Sequence, residues 1–151
     1  MSLPLRPPSL DERTPRAALV VFVDHVECPW LRGLKRGFRH CFAVLADGPG
    51  WLLCDPLKDR ILLTRIEPPA GFDLARFYHE QGHRVLAGCT MPVSSPRRPP
   101  TLVPLTCVAV VKRLLGVQGA SVLTPRQLFD HLARPPQSFV EVSGGLDSEV
   151  Q

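Results

Sequence analysis

The chain is short of aromatic side chains, of paired cysteines and of long apolar runs. Only 7% of its 151 residues are aromatic, and Tyr78 is the single tyrosine. That leaves little with which to stack bases, as binders of single-stranded nucleic acid do. A formal net charge of +4 is also too modest to mark a polyanion track. None of the five cysteines (Cys28, Cys41, Cys54, Cys89 and Cys107) belongs to a C-x-x-C pair, which argues against the common structural zinc sites. Their odd number and wide spread suit reduced thiols better than a secreted disulfide framework. No apolar run approaches the roughly 18 residues of a membrane helix. The opening MSLPLRPPSLDERTPR lacks the apolar stretch of a signal peptide. The expectation is a chain without a membrane span, located in the cytoplasm, needing no metal or organic cofactor and not built for nucleic acid.

What is present is enough for one packed domain. Hydrophobic residues make up 44% of the chain, sufficient for a core at this length. Residues 1–16 read as a flexible arm, 17–142 as a single domain and 143–151 as a tail. AALVVFVDHV, 17–26, is a β-branched apolar run suited to a buried strand. HCFAVLAD, 40–47, and WLLCDPL, 51–57, flank Gly48-Pro49-Gly50 and form the clearest hairpin. RILLTRIE, 60–67, continues a meander. A helix at 74–81 starts from Asp73 and stops at Gly82, and a further strand follows at 83–91. Residues 92–104 hold five prolines and two arginines, hence a loop. Thr124-Pro125-Arg126-Gln127 opens another helix with an N-cap, proline at N1 and a capping-box glutamine. A short strand is expected at 139–142. The fold class is α+β, an antiparallel sheet packed against two or three helices.

The stretch that carries chemistry is PLTCVAVVKRLLGV, 104–117. Thr106 can cap a helix, Val108, Val111 and Leu115 share one face, and Gly116 suits the C-terminal cap. Cys107 then lies in the first turn, where the helix dipole favours a thiolate. A nucleophilic thiol needs a base and a group to orient that base. If Ala46 pairs with Trp51, Val44 faces Leu53, and His40 lies diagonal to Asp55 on one face of the sheet. A one-residue slip would separate them. Cys107, His40 and Asp55 are therefore the candidate catalytic residues, with the backbone N–H of Cys107 as a candidate oxyanion donor.

A histidine strand (RHCFAVL), a polar residue on the next strand (WLLCDP) and a late cysteine helix (LTCVAVVKRLLGV, then LTPRQLFDHL) resemble the circularly permuted papain-like hydrolases. These are the permuted relatives of the NlpC-type cell-wall peptidases and include the lecithin retinol acyltransferase group. The resemblance spans roughly residues 38–117. It implies a permuted papain-like topology with Cys107 as nucleophile, His40 as base and Asp55 as orienting group. It also implies cleavage or transfer of an amide, ester or thioester through an acyl-enzyme, with a peptide or acyl substrate such as a cell-wall peptide. Many members carry asparagine or serine just before the cysteine, where this chain has Leu105-Thr106.

Other readings compete. Cys107 alone is as well explained as a buried apolar side chain. His25, beside Asp24 and near Cys28, is the rival base. Alternation turns Cys41 and Cys54 away from His40, to the core or surface of the other side. His79, His83 and His131 read as surface residues, and Trp51 as core or cleft wall. The alternative function is a non-catalytic accessory or phage-like assembly domain, virion-associated, using the loop at 92–104 as its contact surface.

Overall fold

The computed structural model describes residues 14–25, 29–91, 106–137 and 139–143. The loop at 92–104, Cys28, nearly all of the arm and most of the tail lie outside the described residues. The order of elements is β1 (Ala17–Val23), a 3₁₀ turn (Pro29–Gly33), β2 (His40–Asp47), β3 (Gly50–Pro56) and β4 (Ile61–Ile66). Then come α1 (Leu74–Glu80), β5 (Arg84–Cys89), α2 (Cys107–Leu115), α3 (Pro125–Leu132) and β6 (Val140–Glu141). All pairings are antiparallel, in the order β4-β3-β2-β1-β5-β6. The α+β class and the β2–β3–β4 meander are as the sequence pattern suggests.

The apolar run AALVVFV becomes a central strand because both of its faces are covered. Ala18, Val20 and Phe22 join Cys41, Ala43 and Leu86 beneath α2 and α3, where Val108, Val111, Leu115, Leu128 and Leu132 close the larger core. Leu19, Val21 and Val23 join Phe42, Val44 and Val85 on the opposite face, where Leu74 of α1 seals a smaller core. Phe22, Phe38 and Phe129 meet in tilted and edge-on contacts with centroids 5.2–5.6 Å apart, concentrating aromatic area at the end of the larger core. The expected strand 17–26 stops at Val23: Asp24 is exposed, and its carboxylate accepts from the Gly37 backbone N–H at 2.8 Å. That contact turns the chain out of the sheet. The end of the presumed arm is tied down too, since Arg16 and Thr90 exchange two hydrogen bonds at the edge of β5.

Helix α2 starts and stops where its residues dictate. The Thr106 hydroxyl accepts from the Ala109 N–H at 3.1 Å, and Gly116 adopts φ 71°, a left-handed conformation glycine tolerates without strain. A β-carbon at Gly116 would also come within 2.5 Å of the Met91 carbonyl oxygen. That close approach belongs to the seam where the Met91 N–H donates to the Leu115 carbonyl at 2.8 Å, joining the end of α2 to the end of β5. Gly116→Ala is therefore expected to cost about 2 kcal/mol or more, measured as a lower denaturation midpoint with an unchanged slope.

Candidate active site

The predicted hairpin register is the observed one: Ala46 pairs with Trp51 and Val44 with Leu53. The ladder between β2 and β3 covers only Asp47–Gly50 to Ala43–Cys54, so His40, Cys41 and Phe42 continue along β1 alone. Across the opening, His40 Nε2 and Asp55 Oδ1 approach to 2.6 Å, with side chains 17% and 23% exposed. A contact that short, largely shielded from solvent, is a charge-assisted hydrogen bond.

Cys107 enters from α2. The groups that act on its thiol are the Cys41 side chain, the His40 ring and the Cys41 backbone N–H. Consecutive strand residues point to opposite faces, so an atom touching both His40 and Cys41 must sit at the edge of β2. The β1 side of that edge is closed by the Phe22–Cys41 and Val23–His40 pairs. The open side is the one where β3 has left the ladder. A backbone N–H that would otherwise serve the sheet thus serves the thiol. With Nε2 held by Asp55, Nδ1 is the ring nitrogen left to face the sulfur.

The electrostatics follow from these donors. The Cys107 thiol is lowered from 9.0 to about 5. The hydrogen bond from the Cys41 side chain is the largest influence, followed by burial, which opposes it, and then the His40 hydrogen bond and charge. His40 is raised from 6.5 to about 9: burial works against the imidazolium, but the Asp55 hydrogen bond and the contact with Cys107 outweigh it. Between those values the resting site is a thiolate–imidazolium pair. Cys41 bears the converse effect, its own ionisation pushed well up by the hydrogen bond to Cys107 and by burial.

Cys107, His40 and Asp55 are thus brought together, and the rivals are not. His25 lies exposed beyond the end of β1. His131 is anchored by its Nε2 to the Gln118 carbonyl oxygen at 2.8 Å, tying α3 to the turn that follows α2 rather than standing free. Trp51 is half-buried against the smaller core. Cys54 is buried, and burial followed by the nearby Asp55 raises its thiol. The residue the sequence reading passed over is Cys41. Alternation did place it on the far side of the sheet from His40, but that is the side from which α2 delivers Cys107. No periodicity signals this, because the contact exists only across the packed helix and strand.

A cavity of about 150 Å³ lies between Val110 of α2 and the β3–β4 turn, lined there by Pro56, Leu57, Lys58, Asp59, Arg60 and Ile61; Cys107, His40 and Asp55 do not line it. Among the described residues no cluster of three or more histidine, cysteine or carboxylate side chains could hold a metal ion. Nor is any described helix long and apolar enough to cross a membrane. Compared with family models, curated proteins and solved structures, the chain matches none.

Proposed function

We propose that the protein is a thiol-dependent hydrolase or acyltransferase of permuted papain-like topology, acting through an acyl-enzyme on Cys107. The observation that carries the reading is the Cys107–His40–Asp55 constellation. It joins a thiolate in a helix's first turn, an imidazolium within hydrogen-bond reach of it and a carboxylate 2.6 Å from the far ring nitrogen. A structural cysteine has no need of this arrangement, whereas nucleophilic catalysis needs each part. The order of elements supports the topology: the histidine strand and its carboxylate neighbour precede the cysteine helix, as in the permuted relatives.

In this mechanism the Cys107 thiolate attacks the substrate's acyl carbon. The Cys107 backbone N–H, in the first turn of α2 and without an intrahelical acceptor, donates to the developing oxyanion. The His40 imidazolium gives its proton to the departing amine, alcohol or thiol, leaving a neutral ring and a thioester at Cys107. Neutral His40 then takes a proton from water or from an acceptor nucleophile, which attacks the thioester and regenerates the ion pair. Asp55 holds the ring in position and stabilises its charge throughout. The substrate is a peptide or acyl compound.

The test is acyl-enzyme trapping. An activated acyl ester should leave one acyl group on Cys107, identified by peptide mass, with a burst matching the protein concentration. In His40→Ala any adduct that forms should persist, because deacylation has lost its base, by about 10²-fold or more in rate. An adduct spread over Cys89 and Cys107 alike, with no turnover in the wild type, would refute the enzyme reading.

A further inference from the structure

The sheet ends differently on its two sides. β6 is two residues long, a short edge that offers little to pair with. β4 is six residues long, and among the described residues no strand lies beyond it. Its apolar side chains stand in solvent on both faces: Ile61 is 44% exposed, Leu62 45% and Leu63 61%. Edges are ordinarily blunted by proline, lysine or a bulge. ILLTRI has neither proline nor lysine, and its register with β3 runs unbroken from Ile61 to Ile66. Its one charge, Arg65, is already paired with Asp47 and Glu67. We infer that β4 is a self-association edge, which pairs antiparallel with β4 of a second copy of this chain about a twofold axis at Leu63. This pairing is independent of the reaction that Cys107 carries out.

Hydrogen-bond alternation fixes the register. The Leu57 N–H donates to the Arg60 carbonyl at 2.8 Å across the β3–β4 turn. Backbone groups of an antiparallel strand face alternate sides, so Leu62, Thr64 and Ile66 also turn theirs toward β3. Ile61, Leu63 and Arg65 therefore present their N–H and C=O groups outward. A twofold pairing must set these outward residues opposite one another. Centred on Leu63 it does so wholly within the strand: Leu63 meets Leu63, and Ile61 meets Arg65 of the second copy. Centred on Thr64 it would set Ile61 opposite Glu67, a carboxylate outside the strand, and lose the contact between the two leucines.

Charge suits a second copy as the occupant. Arg65 stays tied to its own Asp47 and Glu67, so the axis carries no unpaired like charges. At each end the turn Lys58–Arg60, with two cations against one carboxylate, comes beside Glu67 of the second copy. The side chain buried at the axis, Leu63, is the most exposed in the strand, so pairing removes the apolar surface that costs most in water. A seam of one strand per copy is small for a stable interface, and the dimer is accordingly concentration-dependent.

The experiment is sedimentation equilibrium of the reduced, full-length protein. The mass is expected to rise from one chain toward two between about 1 μM and 1 mM. Leu63→Lys sets two ammonium groups across the axis and should weaken association by about tenfold or more. Its melting temperature should not change, because Leu63 stands in solvent in the single chain. Register is read by cross-linking. With diamide, Leu63→Cys should join to its own copy at position 63, since directly opposed Cα atoms of a hydrogen-bonded pair lie about 5.5 Å apart, within disulfide reach. Thr64→Cys should not, because Thr64 stands opposite Leu62. Peptide mapping separates these links from any made by the native cysteines. A single-chain mass throughout, association that Leu63→Lys leaves unchanged, or linkage of Thr64→Cys in place of Leu63→Cys would each overturn the proposal. So would amides of Ile61, Leu63 and Arg65 that gain exchange protection only from an added extended peptide of another sequence. None of these readouts involves an acyl-enzyme, so the dimer and the hydrolase reading fail separately.

Discussion

Iodoacetamide is expected to alkylate Cys107 with a rate that rises through an inflection near pH 5, and His40→Ala is expected to move that inflection up by on the order of two units or more. The ordinary thiol titrates near 8.5, whereas this one is lowered to about 5 by the Cys41 hydrogen bond and, against the opposing effect of burial, by His40. At pH 6 the thiolate fraction is then about 300-fold greater than for an unperturbed cysteine. The reactivity gain is smaller, since intrinsic nucleophilicity falls by roughly half a decade per unit of lowered pKa, leaving a net advantage of about tenfold. The diagnostic quantity is therefore the inflection and not the absolute rate. In His40→Ala the two Cys41 donors remain, so the thiol should stop short of the value for a free peptide. An inflection near 8.5 in the wild type would mean that the ion pair does not exist in solution.

Asp55→Asn is expected to narrow the active pH range from its basic side. The asparagine keeps an acceptor opposite Nε2 but removes the charge that helps raise His40 to about 9. If His40 falls to about 7, its protonated fraction at pH 8 drops roughly tenfold, while at pH 6 it changes little. Hydrolysis of an amide, whose leaving group needs the His40 proton, should fall by that factor at pH 8 and be nearly preserved at pH 6. Equal loss at both values would assign Asp55 a structural role only.

The same titrations carry over to stability, with opposite signs that must be combined. His40, raised on folding, contributes stability present below 6.5 and lost as pH climbs through about 9. Cys107, depressed on folding, contributes stability present above 9.0 and lost as pH falls through about 5. From pH 6.5 to 9 the folded pair and the unfolded pair each hold one proton, so the sum is flat. From pH 5 to 6.5 the unfolded chain holds two protons and the folded chain one. Stability from this site should rise over that interval by about 2 kcal/mol, a rise that Cys107→Ala should abolish.

How much of this was legible in the sequence depends on how local each cause is. The caps of α2 and α3 rest on threonine, proline, glutamine and glycine at fixed offsets, and all of them act within one turn. The His40–Asp55 contact was legible because turn length sets hairpin register, and register sets faces. The end of β1 at Val23 was not, because the Asp24 carboxylate that interrupts the stretch 17–26 is engaged by the backbone N–H of Gly37, thirteen residues away.

The sequence alone determined where α2 begins, that its first turn carries a cysteine, and which residues of β2 and β3 share a face. Each follows from capping chemistry or from the two-residue period of a strand. Tertiary structure decided the rest. The β2–β3 ladder stops at Ala43–Cys54, and α2 packs on the Cys41 side of the sheet. The sulfur therefore lies at a strand edge, where it meets His40 and Cys41 together. Side-chain alternation forbids that meeting over either face, and only an opened edge with a helix end beside it provides it.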